Sequence, residues 1–144
     1  MPQFQQHRFA MQLAQLSRAW RAELDRRLVG LGLSQARWLV LLHLARFDTP
    51  PTQRELAQSV GVEGPTLARL LDGLEAQGLV SRQAVAEDRR AKQITLSAKA
   101  QPLIEQIEAI STQLRQELFA GIDPVDLQHC QRVQESILAN LEKH

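Results

Sequence analysis

The sequence predicts a mainly α-helical protein that carries one small β-hairpin. Three observations lead there. Leucines recur at spacings of three and four through most of the chain, which gathers them on single helix faces. Only two stretches, residues 79–85 and 92–96, mix β-branched with polar residues in the alternation of a half-buried strand. Glycines, prolines and capping residues fall between these runs and punctuate them.

Residues 9–31 read as the first helix, with Leu13, Leu16, Trp20, Leu24, Leu28 and Leu31 on one stripe and Gly30 and Gly32 at its end. Ser34 is placed to cap a second helix over 35–47. Its Trp38, Leu39, Leu41, Leu42 and Ala45 make it apolar on several sides, so it is expected to be buried. The run Asp48-Thr49-Pro50-Pro51 breaks the chain, because proline bars its predecessor from helical geometry. Thr52-Gln53-Arg54-Glu55 then fits a capping box and opens a short helix to Val60, with Leu56, Ala57 and Val60 inward. After the Gly61-Val62 turn, Pro65 lies in the first turn of the next helix, where its missing N–H costs nothing. Leu67, Leu70, Leu71 and Leu74 mark the core face of that helix as far as Gln77, and Gly78 stops it. The two strand-like stretches enclose the polar residues 86–91 and predict a hairpin with a charged tip. Ser97 is read as the cap of a long helix bearing Leu103, Ile104, Ile107, Ile110, Leu114 and Leu118, ended by Gly121. Asp123-Pro124-Val125-Asp126 restarts a terminal helix that carries Leu127, Cys130, Val133, Ile137, Leu138 and Leu141.

With 144 residues, 44% hydrophobic and 23% charged, the chain has material for a core and is too apolar for disorder. Residues 38–42, its longest uncharged apolar run, are far short of a membrane span. The first eight residues lack the basic-then-apolar layout of a secretory signal. The single cysteine, Cys130, excludes an internal disulfide, and a cytoplasmic setting is expected. The net charge of +1 gives no global field for nucleic acid. Fourteen of the seventeen cations are arginine, which suits bidentate contacts to phosphate, guanine or carboxylate; a GC-rich genome gives the same bias. Residues 34–96 read as a compact lobe. The helices in 1–33 and 97–144 are too long and too amphipathic to cover themselves, and are expected to pack on each other and on a second copy.

No catalytic set is legible. His7, His43, His129 and His144 lack metal-ligand spacing, and no His-Glu-x-x-His occurs. His129 and Cys130 are neighbours that point about 100° apart on a helix. Gly61-Val62-Glu63-Gly64 has neither the lysine nor the spacing of a phosphate loop. Neither a catalytic residue, a metal nor a cofactor is expected, and the chain does not read as an enzyme. Residues 52–96 instead have the order of a winged helix-turn-helix, in which the second helix enters a major groove and the hairpin an adjacent minor groove. The helix start at Pro65-Thr66 presents free backbone N–H groups and the Thr66 hydroxyl to phosphate, and Arg69, one turn on, reaches guanine O6 and N7. Two plainer readings stand beside this one: Arg69 as a solvated cation, and the whole lobe as a protein-interaction module.

The segments Thr52-Gln53-x-Glu55-Leu56-Ala57, Gly61-Val62-Glu63-x-Pro65-Thr66-Leu67, Arg69-x-Leu71-Asp72-x-Leu74-Glu75, Gly78-Leu79-Val80-x-Arg82 and Asp88-Arg89-Arg90-Ala91-Lys92 resemble the MarR family of bacterial transcription regulators, the SlyA branch above all. The resemblance implies a homodimer, joined through its terminal helices, on a pseudo-palindromic operator in double-stranded DNA. It makes Thr66 and Arg69 recognition-helix contacts and Arg90 the wing arginine in the minor groove. Asp88 would orient a wing arginine through an ion pair, with Arg89 close by. It also implies a small aromatic carboxylate or phenolic effector, with Arg18 and Trp38 at positions that line the pocket. Ala36 and Leu42 replace more polar residues there. Peroxide-sensing members use a cysteine near the N-terminus; here Cys130 reads as a packing residue of a helical stripe.

Overall fold

The periodicities become six α-helices and one hairpin in the computed structural model, which describes residues 1–85 and 91–144 in full and 88–90 as backbone. α1 (Gln3–Leu28) runs into a single 3₁₀ turn, and Gly32 at φ 71° redirects the chain into α2 (Gln35–Ala45). α3 (Gln53–Val60), α4 (Gly64–Ala76), β1 (Val80–Val85), β2 (Asp88–Leu96), α5 (Ala100–Leu118) and α6 (Pro124–Leu141) follow. The chain divides into two compact units, residues 1–112 and 113–144. The first helix and most of α5 thus group with the central lobe.

The core of the first unit is built where the leucine stripes meet. Trp38, Val40 and Leu41 of α2, Leu56 of α3, and Leu67, Leu71 and Leu74 of α4 are essentially inaccessible. Leu24 and Leu28 of α1, Leu79, Val80 and Ile94 around the hairpin, and Ile104 and Ile107 of α5 join them. α2 is buried on several sides, as its composition requires. Removing a side chain such as Leu71 would cost about 2–5 kcal/mol, since both transfer energy and cavity enter.

Four local features differ from the sequence reading. α1 begins six residues earlier than expected; Pro2 precedes it with no side-chain cap, so nothing in the residues marks the start. α5 begins at Ala100, because the Ser97 hydroxyl donates to the Gly78 carbonyl at 2.6 Å instead of capping the helix. β2 begins at Asp88, so the backbone of 88–90 belongs to a strand and not to a loop. The ladder runs from Val80 opposite Leu96 to Ala84 opposite Lys92 and then shifts, placing Val85 opposite Asp88. The fourth difference is on α1, where Leu24 and Leu28 are buried but Leu13 and Leu16 are exposed.

In the second unit Gly121, at φ 78°, ends the turn after α5, and the Asp123 carboxylate accepts from the Val125 N–H at 2.9 Å to start α6. α6 has no buried residue: Val133, Leu138 and Leu141 are open, and Cys130 is exposed rather than packed. An amphipathic stripe without an opposing surface leaves its members in solvent. No single helix among the described residues is long and apolar enough to cross a membrane.

Candidate nucleic-acid interface

The helix-turn-helix is fixed by short-range chemistry. The Glu55 N–H donates to Thr52 Oγ1 at 3.1 Å and the Thr52 N–H to Glu55 Oε1 at 3.2 Å, closing the expected capping box. At the other end Gly61 takes φ 84°, and its N–H and that of Val62 both donate to the Ala57 carbonyl, at 2.9 and 3.1 Å. That left-handed residue swings the chain into α4, which starts with no side-chain cap and with Pro65 in its first turn. Leu67, Leu71 and Leu74 face the core, which leaves Pro65, Thr66 and Arg69 exposed at the start of the helix. Thr66 and Arg69 are three residues apart and therefore share a side. Arg69 makes no hydrogen bond or ion pair among the described residues, so its guanidinium is open to an outside acceptor.

Behind that face α4 is held by contacts that the sequence reading missed. Arg82 of β1, with 18% of its side chain exposed, donates from Nη2 to Asp72 Oδ1 at 2.5 Å and from Nε to Glu75 Oε2 at 2.9 Å. The hydrogen bond to Asp72, followed by that to Glu75, raises its pKa above the usual guanidinium value against the opposing effect of burial. Arg37 of α2 lies across Gly73, where an added Cβ would overlap its guanidinium, and donates to Gln77 Oε1 at 3.0 Å. Lys99 donates to the Gln77 carbonyl at 2.9 Å, satisfying one of the last carbonyls of the helix. These residues set the pose of α4.

The hairpin is tied to α3 as well. Thr52 forms a bridge with Gln93, and the Ile94 N–H donates to the Pro51 carbonyl at 2.9 Å. Ser81 and Thr95 join their hydroxyls across the ladder at 2.6 Å. The side chains of Asp88, Arg89 and Arg90, named as wing contacts, lie outside the described residues.

The two effector residues differ in setting. Arg18 is exposed on α1. Trp38 is 1% exposed, and its Nε1–H donates to Asp25 Oδ1 at 3.1 Å, so the indole is a core group that links α2 to α1. Ala36 is exposed and Leu42 buried. Close by, His43 Nδ1 lies 2.8 Å from Ser59 Oγ, joining α2 to α3.

Two short helices joined by a tight turn, the second exposed at its start and held beside a hairpin, define a winged helix-turn-helix. The MarR family model matches residues 31–91, the span of this lobe. The chain is 69% identical to transcriptional regulator PA3341, over 94% of this chain and 99% of that one, with a TM-score of 0.89. It belongs to the MarR family of transcription regulators, which bind DNA and are not enzymes. Two more distant structures share the fold. CouR from Rhodococcus jostii RHA1, bound to p-coumaroyl-CoA, is 24% identical with a TM-score of 0.80 over 90% of each chain. The S. aureus MepR–DNA complex is 22% identical with a TM-score of 0.82, covering 92% of this chain and 97% of that one.

Proposed function

We propose that the chain acts as a cytoplasmic homodimer on a pseudo-palindromic operator, with α4 in the major groove and the hairpin at the adjacent minor groove. The observation that carries this reading is the division of α4 into a buried leucine face and an exposed start bearing Pro65, Thr66 and Arg69. Thr66 and the open backbone N–H groups take phosphate, while Arg69 reads guanine. Arg90 enters the minor groove, held in place by Asp88 with Arg89 beside it. The MepR complex supports DNA as the partner of this fold. The decisive experiment measures binding to duplexes from the gene's own upstream region and to scrambled duplexes across a range of salt. A preference for the upstream sequence that persists as salt rises supports the reading. Equal, steeply salt-dependent binding to both, or none, favours an interaction module with a winged fold.

The same proposal includes a small aromatic anion as effector, its charge held by Arg18 on α1. CouR with its bound acyl-CoA supports small-molecule control in this fold. Trp38 meets such a ligand only if α1 and α2 part, which breaks its bond to Asp25. Control then requires that the ligand favour the arrangement that does not bind DNA, since equal affinity for both arrangements shifts nothing. Salicylate titrated to millimolar concentration is expected to change tryptophan emission and DNA affinity together. No change in either would remove this ligand class.

A further inference from the structure

Among the described residues, Gly73 is the one glycine where an added Cβ would overlap another side chain. It lies inside α4 without a positive φ, so its backbone conformation does not require glycine. An interior glycine weakens a helix relative to alanine, and here the requirement is space. The guanidinium of Arg37, from α2, fills that space: its Nη2, Cζ and Nε would all meet the Cβ. From this seat Arg37 Nη1 donates to Gln77 Oε1 at 3.0 Å, one turn further along α4. The Arg37 backbone N–H in turn donates to the Ser34 hydroxyl at 3.3 Å.

Thr66, Arg69, Gly73 and Gln77 follow one another at spacings of three, four and four, which makes them one stripe of α4. The exposed start of the stripe carries Thr66 and Arg69, and Arg37 covers its end. Asp72, held by Arg82, lies about 100° around the helix axis from Gly73. Two holds on different sides fix the rotation of a helix, which a single hold leaves free. The last turn of α4 has no basic residue of its own, and Arg37 brings a cation to that negative end of the dipole.

We infer that Arg37, seated over Gly73, is a specificity-determining positioning residue, which fixes the rotation of α4 and so the aim of Arg69. The inference rests on the reading of α4 as the recognition helix. A bidentate contact to a base edge depends on the angle of the helix, whereas phosphate contacts carry no sequence information. Rotation of α4 therefore costs discrimination before it costs general affinity.

The test uses fluorescence anisotropy of the full chain with a duplex from the gene's own upstream region and a random duplex, over a salt series. Gly73→Ala unseats Arg37 while improving the propensity of the helix itself. It is expected to weaken binding to the upstream duplex about tenfold and to the random duplex about twofold or less. The slope of log K against log salt should stay at the wild-type value, because no phosphate contact is lost. Arg37→Ala should give the same loss, and the double variant should be no worse than either single one, as one shared contact requires. Circular dichroism should show all three folded. Unchanged upstream affinity in Gly73→Ala, with a raised melting temperature, would show that Arg37 holds nothing there and overturn the inference. Losses that multiply in the double variant, or that are equal on both duplexes, would overturn it too. A slope lower by about 0.9 in Arg37→Ala would make the residue a phosphate contact instead. A wild-type chain with no preference for the upstream duplex would overturn both the inference and the function on which it rests.

Discussion

Arg69 differs from Arg37 and Arg82 in what it lacks: those two are committed to partners inside the protein, whereas Arg69, on the exposed start of α4, makes no ion pair or hydrogen bond among the described residues. Arg69→Ala is therefore expected to cost about 1–3 kcal/mol on the operator and much less on random DNA. Equal losses in a competition assay would reassign it to a phosphate. His43 makes a different prediction at the same scale. Burial first, then Arg46 and Arg21, lower its pKa below the ordinary 6.5, so the folded protein resists a proton that the unfolded chain accepts. Stability is complete above that value and falls as pH drops through it. Thermal unfolding followed from about pH 7.5 to about pH 5.5 should show the loss, and His43→Gln should flatten it. Glu23 acts in a separate, more acid window. Hydrogen bonds from Arg26 and Arg27 lower its pKa to about 2, so its contribution is lost only as pH falls below 4.5 toward that value.

At the scale of the element, the question is what holds α4 and the hairpin in one pose. The Arg82 pair with Asp72 and Glu75 spans them, but both carboxylates are well exposed, so its effect on stability should be small, about 1 kcal/mol or less. Its effect on DNA binding should exceed that, because loosening the hairpin from α4 adds an ordering cost on binding. Arg82→Ala is expected to leave the melting temperature nearly unchanged while weakening operator binding; a parallel loss of both would make the residue merely structural. This contact also shows where sequence reasoning stopped. Caps at Ser34, Thr52 and Asp123 were legible because donor and acceptor lie within three residues. The leucine faces of α2 and α4 were legible because a period is local information. Arg82 was visible only as a motif letter, since its partners lie seven and ten residues back on another element. Ser97 misled for the same reason: a capping residue spends its hydroxyl on whichever carbonyl the fold presents, here that of Gly78. Of the site, Pro65, Thr66 and Arg69 were read from the helix face. The burial of Trp38 was expected with α2, but its bond to Asp25 was not, because that partner lies thirteen residues back on another helix.

For the whole molecule, the exposed apolar surface is the largest unbalanced quantity. Phe4, Met11 and Leu16 on α1 are open, and so are Val133, Leu138 and Leu141 on α6. Apolar surface on this scale ordinarily marks an interface, and the proposed second copy covers it. Sedimentation at micromolar concentration is expected to show a dimer, and Leu138→Glu to shift it toward monomer. A folded wild-type monomer under those conditions would remove the dimer from the proposal. The operator should then carry half-sites whose centres lie about 34–36 Å apart, one helical turn.

The bridge between Thr52 and Gln93 and the bond from Ile94 to Pro51 have a mechanical meaning. They stitch the hairpin to the entrance of α3, just as Arg82 stitches it to α4, so the lobe behaves as a single casting. A casting transmits a push without absorbing it. The tryptophan-to-aspartate link from α2 to α1 is then a handle on that lobe. In the proposed dimer two such lobes would act as the jaws of a caliper, reading sequence by their shape and switched by their gap.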